Sequence, residues 1–224
     1  MGDSTVIEFI VVNDGGETEQ LSNLFDVVRD SHPSIKFISY NENMGKGFAL
    51  RTGVAAASAP YIITTDLDFP YHVEDLKKVF LLLKAGEDIV VGRRNRTYYA
   101  SIPFRRKVIS KACNALNRYL LKLPIVDAQS GLKGFNKVGR NLFLRTTIDR
   151  FLVDTEFLVL AHSLQYPITV VDINLKSGIK FSSMGWKIIV TEGKNFYRIL
   201  RMNKGNLSPQ KVIVYEQQAS VANV

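Results

Sequence analysis

Two carboxylates lie one residue apart at Asp66 and Asp68, directly after the apolar segment 61–65. Carboxylate oxygens at the end of a strand can bind a divalent cation, and a Mg²⁺ or Mn²⁺ ion held in this way commonly also binds substrate phosphate oxygens. An isolated Asp-x-Asp pattern is a weak signal and more often forms a solvated turn. The residues around the pair must therefore decide between these two interpretations.

A second group of candidate residues precedes this pair in the sequence. Segment 43–47 is rich in glycine, contains Asn43 and Lys46, and opens an alanine-rich segment of helical character. The N-terminus of a helix attracts phosphate, and we expect a lysine there to strengthen the attraction. The spacing is not that of a Walker A loop. Asp14 ends an earlier strand and is predicted either to bind a nucleobase or ribose or to be a plain turn residue.

The elements that must position these residues alternate along the first half of the chain. Short apolar, β-branched segments predict strands, and apolar residues at helical spacing predict helices. This alternation predicts an α/β fold with a mostly parallel sheet flanked by helices. Ligands in such sheets bind at the carboxyl ends of the strands, where Asp14, Asp66 and Asp68 fall. The predicted strands are 6–12, 35–40, 61–65 and 88–91, and the predicted helices are 17–29, 47–58 and 73–83.

The second half of the chain has a different pattern. It predicts a long helix over 103–123, a loop over 127–135, a helix over 153–165 and a strand over 168–175. A last helix, 186–202, carries an apolar face and a separate basic face. That pattern fits either a helix lying in a lipid interface or a helix packed on the core with one solvated face. The residues from 204 to 224 are predicted to form a polar, frayed tail.

The composition limits the possible classes of protein. The chain has 224 residues, of which 46% are hydrophobic, and one cysteine, so it is globular and has no disulfide framework. Its apolar runs are too short to cross a bilayer, and its acidic N-terminus is unlike a secretion signal. We therefore expect a cytoplasmic protein.

Positive charge is concentrated in two blocks of the sequence. Residues 89–126 hold nine basic and no acidic residues, and residues 176–211 hold eight basic residues and one acidic residue. Such blocks indicate a phosphorylated substrate, an anionic membrane surface or nucleic acid, or else merely solvated basic faces. Because no nucleic-acid-binding motif is present, we expect no nucleic acid partner.

Five motifs in a fixed order resemble those of a known family. These segments, IVVNDGG, NMGKGFALRTG, TTDLD, DIVVGRR and DAQSGLKGF, resemble the family 2 glycosyltransferases of the GT-A fold. Among these, the chain looks most like the enzymes that transfer glucose or mannose to dolichyl or polyprenyl phosphate. The resemblance implies a metal-dependent, inverting hexosyltransferase at a membrane surface, with UDP-glucose or GDP-mannose as donor and Mg²⁺ or Mn²⁺ as cofactor. It implies one domain over 1–203, with the nucleotide sugar in the half 1–125 and the acceptor in the half 126–203.

The resemblance also implies a role for each matching residue. Asp14 would contact the base, Asn43 and Lys46 the nucleotide, and Arg94 the donor. The implied metal ligands are Asp66 and Asp68, and the implied catalytic residues are Asp68 together with Asp127 and Gln129 of a sugar-binding loop that includes Ser130 and Gly131. Lys111 and Lys133 stand where related enzymes often have arginines that meet the lipid phosphate.

One departure from the family pattern has structural consequences. The family begins with a further strand, and here only five residues precede Val6. We therefore expect the strand over 6–12 to lack one neighbour, so that the sheet closes differently or a partner chain fills the gap. Two alternatives to a polyprenyl-phosphate transferase remain open: a truncated or inactive regulatory homologue, and a glycosyltransferase with a soluble glycan or protein acceptor. Pro70 also stands near a position where mannose-transferring relatives often carry a glutamine, which weakens the mannose assignment and keeps glucose open.

Overall fold

A computed structural model describes residues 6–16, 34–94, 104–123, 127, 130–174, 176, 186–203 and 212–215. Strands and helices alternate along these ranges. The strands are β1 (Phe9–Asp14), β2 (Ile35–Tyr40), β3 (Ile62–Thr64), β4 (Ile89–Arg94), β5 (Lys133–Phe135), β6 (Ile168–Ile173) and β7 (Val212–Tyr215). The helices are α1 (Lys46–Ala56), α2 (Val73–Lys84), α3 (Phe104–Tyr119), α4 (Lys137–Phe143), α5 (Val153–Ser163) and α6 (Trp186–Asn203).

The strands form two hydrogen-bonded sheets. The larger has the order β3-β5-β4-β6-β7, in which β4, β6 and β7 are parallel and β5 runs antiparallel to both of its neighbours. The smaller is the parallel pair β1-β2. Because β3 and β4 both oppose β5, they are parallel to each other, and their carboxyl ends lie at the same edge. The predicted α/β architecture is confirmed.

Within the described ranges, β1 has one hydrogen-bonded neighbour, β2. Side chains and loops nevertheless connect β1 to the rest of the molecule at both of its ends. At its carboxyl end, the Asp14 carboxylate accepts the backbone N–H of Gly45, just before α1. At its other end, Glu8 accepts the backbone N–H and the hydroxyl of Ser58, just after α1.

Glu8 predicts a pH-dependent contribution to stability. The Lys36 ammonium, 2.5 Å from the Glu8 carboxylate, and the Ser58 backbone N–H lower the pKa of Glu8 from 4.5 to about 2. This stabilisation is present above pH 4.5 and is lost as the pH falls through about 2. We therefore expect Glu8→Gln to destabilise the protein at neutral pH, and the difference from wild type to shrink steadily in acid. Urea titrations of both proteins across this range measure it, and a difference independent of pH would contradict it.

The core lies between the larger sheet and the helices that cover it. In β4, Ile89, Val90 and Val91 are fully buried, as expected of a central strand covered on both faces. Phe135 of β5 stacks on Phe143 of α4 with ring centroids 5.3 Å apart, and both rings meet Phe157 of α5. This packing fixes β5 and α5, which carry two of the charged groups described below.

The structure corrects the prediction of a loop over 127–135, because its last three residues form β5. Gly134 pairs with Ile63 and Val90, and a Cβ atom there would overlap Val79 of α2. This short strand exists because of its partners in the sheet and has no sequence periodicity of its own. The expected tail over 204–224 includes β7, which pairs with β6. The predicted helix 17–29 lies outside the described residues.

The apolar face of α6 is used by the core. Ile199 is fully buried, and Phe196 and Leu200 pack against the main hydrophobic cluster. Glu192, on the same helix, accepts the backbone N–H of Leu152. The core-packed interpretation of α6 is therefore the correct one at these positions, whereas the side chains of Trp186 and Ile189 lie outside the described set. Among the helices in the described ranges, none is long and apolar enough to cross a membrane.

Candidate active site

Charged side chains from four elements meet at the carboxyl edge of the larger sheet. Asp66 follows β3, and Arg94 ends β4, so the parallel arrangement of the two strands brings them to the same edge. Lys46 is the first residue of α1, and Asp154 lies in the first turn of α5. The expectation that Lys46, Asp66 and Arg94 lie at one site is a sequence prediction that the geometry supports.

Two lysines and two aspartates form a continuous chain of ion pairs. The Lys46 ammonium lies 2.8 Å from Asp66 Oδ1 and 3.6 Å from Asp154 Oδ2. The other oxygen of Asp154 lies 2.9 Å from the Lys133 ammonium, which also donates to the Ser130 carbonyl. Asp154 therefore bridges the two lysines, and Lys46 connects Asp154 to Asp66.

The burial of these groups makes each charge depend on its partners. Burial opposes the charge on Lys46, but Asp154 and Asp66 outweigh it and raise the pKa of Lys46. Burial likewise opposes the charge on Asp66, and the ammonium of Lys46, followed by Lys133 and Arg94, reverses that effect and lowers the pKa of Asp66. For Lys133, which has no exposed surface, burial dominates and lowers its pKa, with Asp154 offsetting part of the effect.

Arg94 and Asp127 form a forked ion pair beside this chain. Arg94 Nε donates to Asp127 Oδ2 at 2.7 Å, and a terminal guanidinium nitrogen donates to Oδ1 at 2.5 Å. The backbone N–H of Arg94 donates to Asp127 Oδ2 at 3.1 Å. Asp127 is 1% exposed, so its carboxylate is held by Arg94 and is not a free base. Its role at the sugar stays a prediction.

Tyr71 and Gly131 close the site next to Asp66. The buried Tyr71 hydroxyl accepts the Gly131 backbone N–H at 2.9 Å. Burial, followed by the charge on Asp66, raises the pKa of Tyr71 to about 12, so the hydroxyl stays protonated at neutral pH. Gly131 faces the Asp66 carboxylate so closely that a Cβ atom at this position would overlap it.

This contact predicts the effect of Gly131→Ala. The added methyl group would displace the Asp66 carboxylate, which forms the ion pair with Lys46. We expect the affinity for a nucleotide sugar to fall by roughly tenfold, because this is about the cost of misplacing one hydrogen-bonded group. Calorimetric titration measures it, with Gly193→Ala on α6 as control because nothing lies within 4 Å of a Cβ atom there. Unchanged binding by Gly131→Ala would show that Asp66 does not position the donor.

Asp14 and Asn43 hold the loop that leads into α1. The Asp14 carboxylate accepts the Tyr40 hydroxyl and the backbone N–H groups of Met44 and Gly45. The Asn43 side-chain amide donates to the Asp14 carbonyl, and its oxygen accepts from Arg150. Both residues therefore have structural partners in this structure, and their roles in contacting the nucleotide stay predictions.

The N-terminus of α1 is already occupied by protein. The backbone N–H groups of Gly47 and Phe48 donate to the Asp149 carbonyl at 2.8 and 3.3 Å. Glu156, which is fully buried, fixes that loop by accepting the N–H groups of Thr147 and Ile148. The expectation that these first α1 amides bind phosphate is therefore not supported, and the role of Lys46 at the nucleotide stays a prediction.

Of the two carboxylates at this edge, Asp68 is the one that can bind a divalent cation. Asp66 is committed to Lys46, whereas Asp68 lies exposed two residues further on. One carboxylate is enough for a Mg²⁺ or Mn²⁺ ion that takes its other ligands from substrate diphosphate and water. No group of three or more His, Cys, Asp or Glu side chains suited to a metal occurs among the residues that the structure describes.

The remaining predicted site residues fall in three different environments. Lys111 is exposed on α3. Lys133 is enclosed in β5 with Asp154 as its partner, so it is not on a surface that a lipid phosphate could reach. This placement corrects the expectation for Lys133. Gln129 lies outside the described residues, and Ser130 is buried beside Lys133.

Sequence reasoning missed Asp154, Glu156 and Tyr71. The two acidic residues lie in the first turn of α5, where acids are common for a local reason, since they complement the helix dipole. The available signal was their position within an otherwise apolar segment, FLVDTEFLVLA, where a carboxylate is buried and needs a partner. Tyr71 follows Pro70 directly and offered no pattern of its own.

Comparison with known proteins adds family and fold. The model of the family described as "Glycosyl transferase family 2" matches residues 3–141. A dolichyl-phosphate beta-glucosyltransferase from Mus musculus is 31% identical over 180 residues, covering 75% of this chain and 55% of that protein. One from Dictyostelium discoideum is 26% identical over 178 residues, covering 75% and 54%. The chain thus spans about half the length of these relatives.

Solved structures show the same fold at low identity. Glucosyl-3-phosphoglycerate synthase from Mycobacterium tuberculosis, in complex with phosphoglyceric acid, is similar with a TM-score of 0.62 at 15% identity, covering 91% of this chain and 71% of that one. A complex of that synthase with Mn²⁺, UDP and glucosyl-3-phosphoglycerate gives a TM-score of 0.54 at 16% identity, covering 91% and 71%. The match to the family model extends from before β1 to α4 and includes Lys46, Asp66, Arg94 and Asp127 of the site. This chain belongs to glycosyl transferase family 2.

Proposed function

We propose that this chain transfers glucose from UDP-glucose to a polyprenyl phosphate, such as dolichyl phosphate, at a membrane surface. The observation that carries the proposal is the ion pair of Lys46 with Asp66 at the carboxyl edge of the sheet, with the Arg94–Asp127 pair beside it. Family membership and the names of the similar dolichyl-phosphate glucosyltransferases support the same reaction class.

The proposed donor site matches the charge of a nucleoside diphosphate. The side chains of Lys46 and Arg94 are 26% and 13% exposed, so each is partly open to the edge of the sheet while its carboxylate partner fixes it. A diphosphate placed there is attracted by cations that already have defined positions, which is how preorganised groups stabilise a leaving anion. A divalent cation, when bound at Asp68, would neutralise further charge on the leaving diphosphate.

The proposed reaction is a single displacement at the anomeric carbon. A phosphate oxygen of the acceptor forms the new bond to C1 of glucose as the bond from C1 to the diphosphate breaks, and UDP leaves with that electron pair. The acceptor oxygen is already anionic at neutral pH, so the step needs positioning and charge neutralisation more than a general base. This fits a site in which Asp127 is bound to Arg94 and Asp66 to Lys46.

We call Lys46, Asp66, Arg94 and Asp127 the donor cluster. The acceptor phosphate requires a cation outside it. Lys133 is enclosed and paired with Asp154, so we assign this role to a residue of the exposed basic helix α3, with Lys111 as the candidate. A soluble glycan or protein acceptor would instead need a carboxylate free to remove a proton. The positive charge on α3 complements an anionic phosphate, which favours the phosphate acceptor over a soluble glycan or protein acceptor.

A direct assay tests the proposed function. The chain is incubated in detergent with UDP-glucose and a polyprenyl phosphate, with and without Mn²⁺, and the lipid product is identified by mass spectrometry. We expect glucosyl phosphoryl polyprenol from the wild type and a loss of about a hundredfold or more in Asp66→Asn, which removes the charge that orients Lys46. If a folded wild-type chain binds UDP-glucose but yields no product, the inactive-homologue alternative is favoured.

A further inference from the structure

The helix α3 exposes an apolar stripe. Val108, Leu116 and Tyr119 are 50%, 41% and 74% exposed, and Ala112 and Ala115 between them are exposed as well. These five positions recur at helical spacing on one face and extend over about 16 Å of helix. Leu120, directly after the helix, is 49% exposed and continues the stripe.

Positive charge flanks this stripe. Lys111 and Arg118 are exposed on α3, and Lys122 is exposed just after it. No acidic residue occurs anywhere between 89 and 126, so α3 has no carboxylate of its own to neutralise these cations. An exposed apolar face with basic flanks is the pattern of a helix that lies in the interface of an anionic bilayer.

The same charge argues against a second copy of this chain as the partner. Two α3 helices packed through their apolar stripes would bring together two helices that each contain five basic and no acidic residues. Like charges placed face to face oppose such a dimer. An anionic lipid surface has both the complementary charge and the apolar interior that the stripe requires.

Helix α6 does not provide a competing surface for the bilayer. The apolar side chains Phe196, Ile199 and Leu200 of α6 pack in the core. They cannot enter a bilayer unless α6 detaches from the rest of the protein. On α6, Val190 and Tyr197 remain exposed, at 46% and 62%. These two exposed residues provide a matched control for α3.

The position of α3 connects the stripe to the active site. The buried residues Leu121 and Leu123 anchor its carboxyl end in the core, and Asp127, the partner of Arg94, follows four residues later. From these observations we propose that the Val108–Tyr119 face of α3 docks on an anionic bilayer. Resting on the proposed function, this docking presents the lipid phosphate beside the donor.

The test compares two matched pairs of substitutions in the full chain. One variant is Leu116→Ser with Tyr119→Ser on α3, and the control is Val190→Ser with Tyr197→Ser on α6. Co-sedimentation measures their binding to phosphatidylcholine vesicles with and without phosphatidylglycerol. We expect the wild type and the control to bind the anionic vesicles similarly, and the α3 variant to bind them at least about tenfold more weakly, since two apolar side chains no longer enter the lipid.

Three results would overturn the proposal: no binding of the wild type to anionic vesicles, equal binding by the α3 variant, or an equal loss in the α6 control. Calorimetric binding of UDP-glucose by the same proteins separates this proposal from the proposed function. None of the four substituted residues belongs to the donor cluster, so we expect unchanged UDP-glucose binding in all of them. Vesicle binding without UDP-glucose binding would retain the lipid surface and reject the proposed donor.

Discussion

Replacing Asp154 by asparagine is expected to lower the free energy of unfolding by about 3–5 kcal/mol, because it leaves a buried charge without its partner. Lys133 has no exposed surface, and its ammonium lies 2.9 Å from the Asp154 carboxylate. The asparagine side chain has nearly the same shape, so the loss reflects charge and not packing. Urea unfolding followed by circular dichroism measures it.

The sign of its pH dependence gives a second check on this variant. Without Asp154, the pKa of Lys133 in the folded state is lower still than its already lowered value, so the unfolded chain binds more protons than the folded one. We therefore expect the variant to recover stability as the pH rises. A double variant, Asp154→Leu with Lys133→Met, removes both charges and is expected to be more stable than Asp154→Asn. Equal stability of Asp154→Asn and wild type would contradict the claim that the charge of Asp154 stabilises the buried Lys133.

The second large effect is expected for Arg94→Lys, with a loss of about a hundredfold in the proposed glucosyl transfer. Lysine keeps the positive charge but cannot form the forked pair that holds both oxygens of Asp127. The loop that carries Asp127 and Gly131 would then lose its fixed position against Asp66, and a displacement of about 1 Å at such a site can cost this much. The transfer assay on the purified variant measures it.

Arg93→Lys is the matched control for this variant. Arg93 is the neighbouring residue of β4 and forms its own forked pair, with Asp172 of β6, at 2.7 and 3.1 Å. Its substitution disturbs the same strand and the same kind of ion pair outside the donor cluster. We expect Arg93→Lys to retain most of the transfer activity. A similar loss in both variants would indicate a general weakening of the sheet instead of a specific role for Arg94.

The sequence was sufficient to predict those parts of the site that depend on strand ends. Asp66 follows an apolar strand, and parallel strands bring their carboxyl ends together whatever the details of packing. The family resemblance, and not the strand pattern, implies Arg94. For the same reason the α/β architecture could be predicted from the alternation of apolar segments. The order of the strands could not, because β5 pairs with β3 and β4 across about 70 and 40 residues of sequence.

The residues that sequence reasoning assigned wrongly or missed depend on tertiary contacts. In the sequence, Lys133 cannot be distinguished from a surface lysine. Only the packing of β5 against α5 shows that Asp154 neutralises it inside the protein. The apolar face of α6 fits a lipid interface and a protein core equally well by periodicity. Because Ile199 is fully buried, the structure shows that this face packs on the core. The exposed apolar stripe lies on α3 instead.

The central claim is that the Lys46–Asp66 edge of the sheet binds the diphosphate of a glucose donor. Isothermal titration of the chain with UDP-glucose and GDP-mannose, with and without Mn²⁺, tests it most directly, with Lys46→Met and Lys78→Met as a pair of variants. Lys78 forms its ion pair with Asp75 on α2, away from the donor cluster. The account predicts that UDP-glucose binds to wild type and to Lys78→Met and about tenfold or more weakly to Lys46→Met. Equal binding by both variants, or no binding of either nucleotide sugar by the folded wild type, would contradict it.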